Sequence, residues 1–325
     1  MANKKLDYIL QLASQTAGKI TSGPEEWETF LRTAARLYKY PFQDQLLIYA
    51  QRPDATACAA YDVWNSRMGR WVKRGSKGIA LLAETPKGMR LKYVFDVSDT
   101  ARGRDARDLN LWELEPNHTA TISKNLLRTF NLPFEADFAE QLRQIAVRLS
   151  SEYVRGNLHD ILYTVDGSFL EGLDTLNVRL SYEKAASIST FFMLLSRCGL
   201  DTKKYIQRED FLNIFNFNTP KTVRALGKIV SDQSERVLRQ IEHAVKQLEI
   251  KEKPLANQER LDYNNFSDLK QNFAGESADN GTEIQEKWGL PDSGPQNGSA
   301  AGGGARRVRQ NEAEISQGTA ANSIQ

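Results

Sequence analysis

The chain has 325 residues, with 43 lysines and arginines against 41 aspartates and glutamates, a net charge of +2 and a mean hydropathy of −0.52. That balance excludes a polycation that coats nucleic acid along its whole length, so any such affinity must come from local clustering of charge. No apolar run reaches the roughly 18 residues of a membrane span, and Cys58 and Cys198 alone make neither a disulfide framework nor a zinc site.

Both cysteines read as buried, reduced thiols of a cytoplasmic protein. The segment after Met1-Ala-Asn-Lys-Lys5 carries Asp7, Gln11 and Gln15 among its apolar residues, the pattern of an amphipathic helix and not of a signal peptide. Leu6, Ile9, Leu10 and Ala13 predict a first helix ending near Gly18. Ser22 reads as the N-cap region of a second helix, with Pro24 in its first turn and Glu25, Glu26 and Glu28 at its positive end. Its apolar residues run from Trp27 through Phe30, Leu31, Ala34, Ala35 and Leu37, and Tyr40-Pro41 breaks it. Gln43 to Gln51 predicts a third, short helix stopped by Pro53, and a further helical turn or two covers Ala59 to Arg67. The period then changes. Arg70 to Lys73, Gly78 to Ala83 and Met89 to Asp96 predict three strands of an antiparallel meander, with Gly69, Gly75 and Gly78 as turn residues. The charged segment Asp99 to Asp108 reads as a loop.

Residues 119 to about 250 read as helical. Phe138, Leu142, Ile145 and Leu149 form one apolar stripe, and a second helix opens near Ser181 and closes on Gly199. A long helix from Lys221 to Ile250 carries Val223, Leu226, Val230, Val237, Leu238, Ile241, Val245 and Leu248 on one face. Beyond Lys253 the composition turns to Gly, Ser, Asn, Gln and Asp, too poor in apolar area to offset chain entropy. The expected fold class is therefore α+β: N-terminal helices with a small antiparallel β-meander, an all-helical domain and a disordered tail. The expected boundaries are 1–115, 116–252 and 253–325.

Charge is concentrated in one place. Arg67, Arg70, Lys73, Arg74, Lys77, Lys87, Arg90 and Lys92 face the single acid Glu84 over the same stretch. Cations spaced along a hairpin can follow a phosphate backbone and gain affinity by counterion release, and arginine adds a planar group that stacks or grips phosphate. Tyr61, Trp64 and Trp71 lie in or beside this run, and stacking on aromatic rings holds unpaired bases without reading sequence. Trp27, Tyr49, Tyr93 and Phe95 are assigned to the core, while Trp64 and Trp71, flanked by cations, are candidate stacking surfaces. No helix shows a run of cations and amides suited to a major groove, which favours single strands over duplex.

The order of residues adds to this. Tyr40-Pro-Phe-Gln-Asp-Gln-Leu-Leu-Ile-Tyr-Ala-Gln-Arg-Pro-Asp54, then Tyr61-Asp-Val-Trp64, then Gly69-Arg-Trp-Val-Lys-Arg-Gly-Ser-Lys-Gly-Ile79, resembles the N-terminal domain of ArdC-type antirestriction proteins over residues 20 to 100. The resemblance implies binding of single-stranded DNA, in proteins of plasmids and conjugative elements such as conjugative transposons. It carries over to Gln45, Trp64, Gly69, Val72, Lys73, Gly75, Lys77 and Gly78. With the run ending Val94-Phe-Asp-Val-Ser-Asp-Thr100, the chain looks most like the N-terminus of large mobile-element proteins that carry helicase or DNA-methylase domains further along. Helicase or methylase domains of the same element are thus implied as further partners.

No catalytic set accompanies the module. The metalloprotease-like helix of ArdC proteins needs two histidines four apart with a glutamate, and His118, His159 and His243 are isolated. There is no phosphate loop of the Gly-x-x-x-x-Gly-Lys-Ser/Thr kind, no methylase Asn/Asp-Pro-Pro-Tyr run, and no paired histidines for a relaxase. Asp96 and Asp99 lack a third metal ligand at a sensible spacing and read as strand-end turn residues. The expectation is a non-catalytic DNA-binding module without cofactor or metal. Its contacts are Gln45, Trp64, Arg67, Arg70, Trp71, Lys73, Arg74 and Lys77, in a cleft between the Arg70–Gly78 hairpin and the helix of Gln45. A second reading is a protein-interaction or regulatory arm that docks a partner through the helical domain, on the apolar stripe of the Lys221–Ile250 helix.

Overall fold

Three helices lead the chain, α1 (Ala2–Ile20), α2 (Pro24–Arg36) and α3 (Phe42–Gln51), close to the limits that apolar spacing predicts. A computed structural model describes residues 2–107, 109, 111–133 and 137–252; the expected disordered tail lies outside the described residues. Pro24 opens α2, where its fixed φ suits the first turn, and Glu25 and Glu26 follow at the positive end. Ser22 is not the cap. Gly23 precedes the helix without a side-chain cap, and the Ser22 hydroxyl donates back to Lys19 O at the end of α1.

The stretch expected to be helical from Ala59 begins instead with a strand, β1 (Cys58–Ala60), before the π-helical turn Val63–Arg67. Four more strands follow: β2 (Arg70–Val72), β3 (Ile79–Thr85), β4 (Gly88–Asp96) and β5 (Thr100–Arg102). β3 and β4 form the expected antiparallel hairpin, in register from Ile79↔Val94 to Thr85↔Gly88. The first strand of the meander forms where expected, as β2, but outside this sheet. β4 is the middle strand of a sheet ordered β1-β4-β3, while β2 pairs with β5 in the segment expected as a loop. Lys73 N already donates to Asp99 O, and a turn at Lys73–Ser76 redirects the chain before β3 begins. Gly75 sits at φ 88 in that turn, where a side chain would be strained. Ile79, Leu81 and Val94 point inward with Leu46, Leu47 and Ile48 of α3 in the same core. At the outer edge of β3, the Gln51 side-chain amide donates to Ala80 O at 2.8 Å and accepts from Ala80 N at 2.9 Å.

The remainder is helical: α4 (Thr119–Phe130), α5 (Phe138–Gly156), α6 (Leu158–Leu162), α7 (Thr175–Arg197), α8 (Thr202–Tyr205), the 3-10 helix Arg208–Asn216, and α9 (Pro220–Glu252). α7 opens six residues earlier than Ser181, because Asp174 caps it by accepting from Asn177 N; Gly199 follows its end at φ 70, as expected. From Ser189 to Leu195 every residue of α7 is buried, which makes it the central helix of the fold. None of the described helices is long and apolar enough to cross a membrane.

One hydrophobic core runs through both the N-terminal and the helical segments. Trp27 Nε1 donates to the buried Ser189 Oγ of α7 at 2.8 Å, and Ser231 Oγ of α9 donates to Tyr40 O at 3.2 Å. Gly227 of α9 lies so close to Phe42 that a side-chain carbon there would sit 2.2 Å from the ring. The change of character near residue 115 is thus a change of secondary structure and not a division between cores. The apolar stripe of α9 is spent on this packing: Val223, Leu226, Val230, Val237, Leu238, Ile241 and Val245 are all buried within the chain.

Candidate nucleic-acid interface

The β2/β5 ribbon pairs Arg70 with Arg102, Trp71 with Ala101 and Val72 with Thr100. Cross-strand partners share a face, and faces alternate along a strand. Trp71 therefore lies with Ala101 and with Gly69 and Gly103, whose backbones are joined by Gly103 N donating to Gly69 O at 3.0 Å. These neighbours offer the indole no side wall, and Trp71 is 57% exposed. The glycines are needed for close approach. A side-chain carbon at Gly103 would lie 2.6 Å from Gly69 O and 2.9 Å from Trp71 Nε1, and one at Gly69 (φ 60) would lie 2.9 Å from Asp105 O. Lys73 N to Asp99 O and Arg107 N to Met68 O prolong the ribbon at both ends.

Of the expected contact residues, Trp71, Lys73, Arg74 and Lys77 are exposed, and Arg67 and Arg70 are half-buried. Arg70 Nε donates to Thr100 Oγ1 at 2.8 Å, and Lys73 Nζ donates to Ser98 O at 3.0 Å. Pairing with β5 adds cations that the sequence reading missed. Arg102, Arg104 and Arg107 are exposed and belong to the same ribbon and its continuation. Their signal, three arginines against one acid in Ala101-Arg-Gly-Arg-Asp-Ala-Arg107, lies in the segment expected to be a loop. Lys92 leaves the cluster, because its ammonium sits 3.0 Å from the buried Asp44 carboxylate of α3. Burial pushes the Asp44 carboxyl up and Lys92 pulls it part of the way back.

Gln45 and Trp64 are corrections. Gln45 is 1% exposed and donates through Nε2 to Leu37 O, tying α3 to the end of α2. Trp64 is 2% exposed and donates through Nε1 to Phe95 O at 2.8 Å. Both side chains are buried with their N–H groups bonded to backbone carbonyls, so neither presents a surface to a ligand, and the cleft expected between Gln45 and a β2 hairpin does not form. Tyr93, assigned to the core, is 39% exposed on the outer face of the sheet. Gly69 and Gly75 have the positive φ of turn residues, whereas Gly78 is a point of close approach: a side-chain carbon there would lie 3.2 Å from Phe95 and 3.3 Å from Tyr93.

Two acids anchor the passage from β4 into β5. The buried Asp96 carboxylate accepts from Thr56 N (2.7 Å), Ala57 N (3.0 Å), Ser98 N (2.9 Å) and Ser98 Oγ (2.6 Å). Burial alone would raise its carboxyl, but these bonds to the charged form hold it below the usual range. Asp99 receives Arg52 at 2.6 Å. Elsewhere, His118 is buried with Nε2 2.9 Å from Glu252 Oε1, His159 packs edge-on against Tyr163, and His243 lines a groove between α4 and α9. Cys58 and Cys198 are free thiols that burial pushes up to about 12, so both are protonated at neutral pH. Comparison with protein-family models, curated proteins and solved structures found no match.

Proposed function

We propose that this chain is a non-catalytic module that binds single-stranded DNA through the β2/β5 ribbon and the Lys73–Lys77 turn, in a cytoplasmic protein of a mobile genetic element. The observation that carries the reading is Trp71, a large aromatic ring more than half exposed on a ribbon that also bears Arg70, Arg102, Arg104 and Arg107. Keeping an indole in water forgoes stabilisation on the order of 2 kcal/mol. A strand of nucleic acid offsets that cost with bases for the ring, and its phosphates match the positive charge of the ribbon. The resemblance to ArdC-type N-terminal domains supports the antirestriction or conjugation-associated setting and implies helicase or methylase domains as partners.

Fluorescence anisotropy with labelled oligonucleotides tests this. Single-stranded DNA is expected to bind more tightly than duplex, with affinity falling over a log–log salt slope of about two to four. Trp71→Ala is expected to weaken binding by about tenfold or more. Equal affinity of Trp71→Ala and the parent chain, or a preference for duplex, overturns the reading; a preference for RNA of equal length reassigns the ligand.

A second reading, a partner-docking arm, no longer rests on α9, whose stripe is covered. It is favoured instead by the exposed side chains of Phe169, Leu173, Leu176, Leu212 and Phe215, in segments joined by Phe169 N donating to Asn218 Oδ1.

A further inference from the structure

The outer face of the β1-β4-β3 sheet carries a row of aromatic side chains. Tyr93 and Phe95 alternate with the inward-facing Val94 and Asp96 on the middle strand, so both point outward. Tyr61, just past β1, is 50% exposed and meets Phe95 edge-on, with ring centroids 6.4 Å apart. The Lys5 ammonium of α1 lies 4.8 Å from the centre of the Tyr93 ring. Glu84 is an acid on this face, at its far end beside Met89.

This row is continuous with the ribbon. The Lys73–Gly78 segment leaves β2 and reaches the sheet where Gly78 approaches the Tyr93 and Phe95 side chains, the contact that a side chain at Gly78 would crowd. Lys73, Arg74 and Lys77 are exposed along that passage. Beside it opens a concavity of about 570 Å³ whose wall includes Lys77, Gly78, the 61% exposed Tyr8, and Arg52 paired with Asp54 of the same wall and with Asp99. Exposed rings at the middle of a small sheet, with cations at the border, are what single-stranded nucleic acid uses when successive bases stack on a strand surface.

We infer that the sheet face of Tyr61 and Tyr93 is a second stacking platform. A strand held on the ribbon at Trp71 continues over Lys77 and Gly78 onto the sheet, where its bases stack on Tyr93 and Tyr61 and Lys5 meets a phosphate. The inference rests on the ribbon reading and extends the site from a few nucleotides to a longer track.

The test is a length series in anisotropy with the full chain, using single-stranded DNA of about four and about twelve nucleotides. The parent chain is expected to bind the longer oligonucleotide at least about tenfold more tightly than statistical repetition of the short site allows. Tyr61→Leu with Tyr93→Leu keeps apolar bulk but removes both ring planes. It is expected to abolish that gain while leaving the short oligonucleotide unchanged; Tyr61→Phe with Tyr93→Phe is expected to keep the gain. Trp71→Ala weakens both lengths. Unchanged binding of the longer oligonucleotide by the double leucine variant overturns the second platform while leaving the ribbon intact. Failure of both lengths to bind the parent chain overturns the ribbon reading and this one with it.

Discussion

Trp71 is exposed because its neighbours are small, and the smallest of them is also the closest. Gly103 faces Gly69 O and Trp71 Nε1 at distances no side-chain carbon tolerates. Gly103→Ala is therefore expected to push the indole aside and open the end of the ribbon. Oligonucleotide affinity should fall by about tenfold, while the thermal midpoint barely moves, since the ribbon contributes Thr100 to the buried set and little else. Anisotropy and thermal unfolding on the same preparation check this; a large loss of stability with affinity retained contradicts it. Gln45 and Trp64 show the opposite case at this scale. A glutamine and a tryptophan placed among cations suggest ligand contact, yet each has a backbone carbonyl as its partner and lies inside. Sequence gives residue type and neighbours along the chain, but burial is decided by what folds over them.

Among the elements, the long helices, the β3/β4 hairpin and the strand β2, expected over Arg70–Lys73, were legible; β1, β5 and the partner of β2 were not. α9 runs Pro220–Glu252 where periodicity over many turns predicts Lys221–Ile250, and Pro86-Lys-Gly88 marks the hairpin turn. β1, β2 and β5 have three residues each, too few for alternation to declare a face, and β2 meets β5 across about thirty residues of chain. That pairing hid Arg102, Arg104 and Arg107 from a charge count taken along contiguous sequence. Helix-to-helix contact was legible only as apolar stripes, without the partners. A close contact of this kind is α3 on α9, where Gly227 admits the Phe42 ring. Gly227→Ala is expected to destabilise the fold by about 1–3 kcal/mol, and Phe42→Leu in the same chain to recover part of the loss. Urea unfolding of the single and double variants measures this coupling; strictly additive effects count against the contact.

At the level of the whole molecule, Glu242 of α9 joins parts far apart in sequence. It accepts from Tyr38 OH, Lys39 Nζ and Lys246 Nζ, while Trp112 Nε1 donates to Tyr38 OH and Arg197 of α7 lies over the Trp112 ring. Burial alone would raise the Glu242 carboxyl, but Lys39 and Lys246 outweigh it and hold the group at about 2 against an ordinary 4.5. A carboxyl depressed in the folded state stabilises fully above its unfolded value and loses that contribution as pH falls through the folded one. Stability is thus expected to decline between pH 4.5 and about 2. Glu242→Gln should cost roughly 3 kcal/mol at neutral pH and flatten the acid limb; equal slopes for parent and variant contradict the assignment. The Gln51 amide bonded to Ala80 bears on how copies of the molecule meet. A strand edge with open donors and acceptors invites a strand from a neighbouring chain, but at Ala80 a side chain already occupies the seat that such a strand would take. Crowded molecules are thereby denied one route to edge-on polymerisation, at the point where β3 begins.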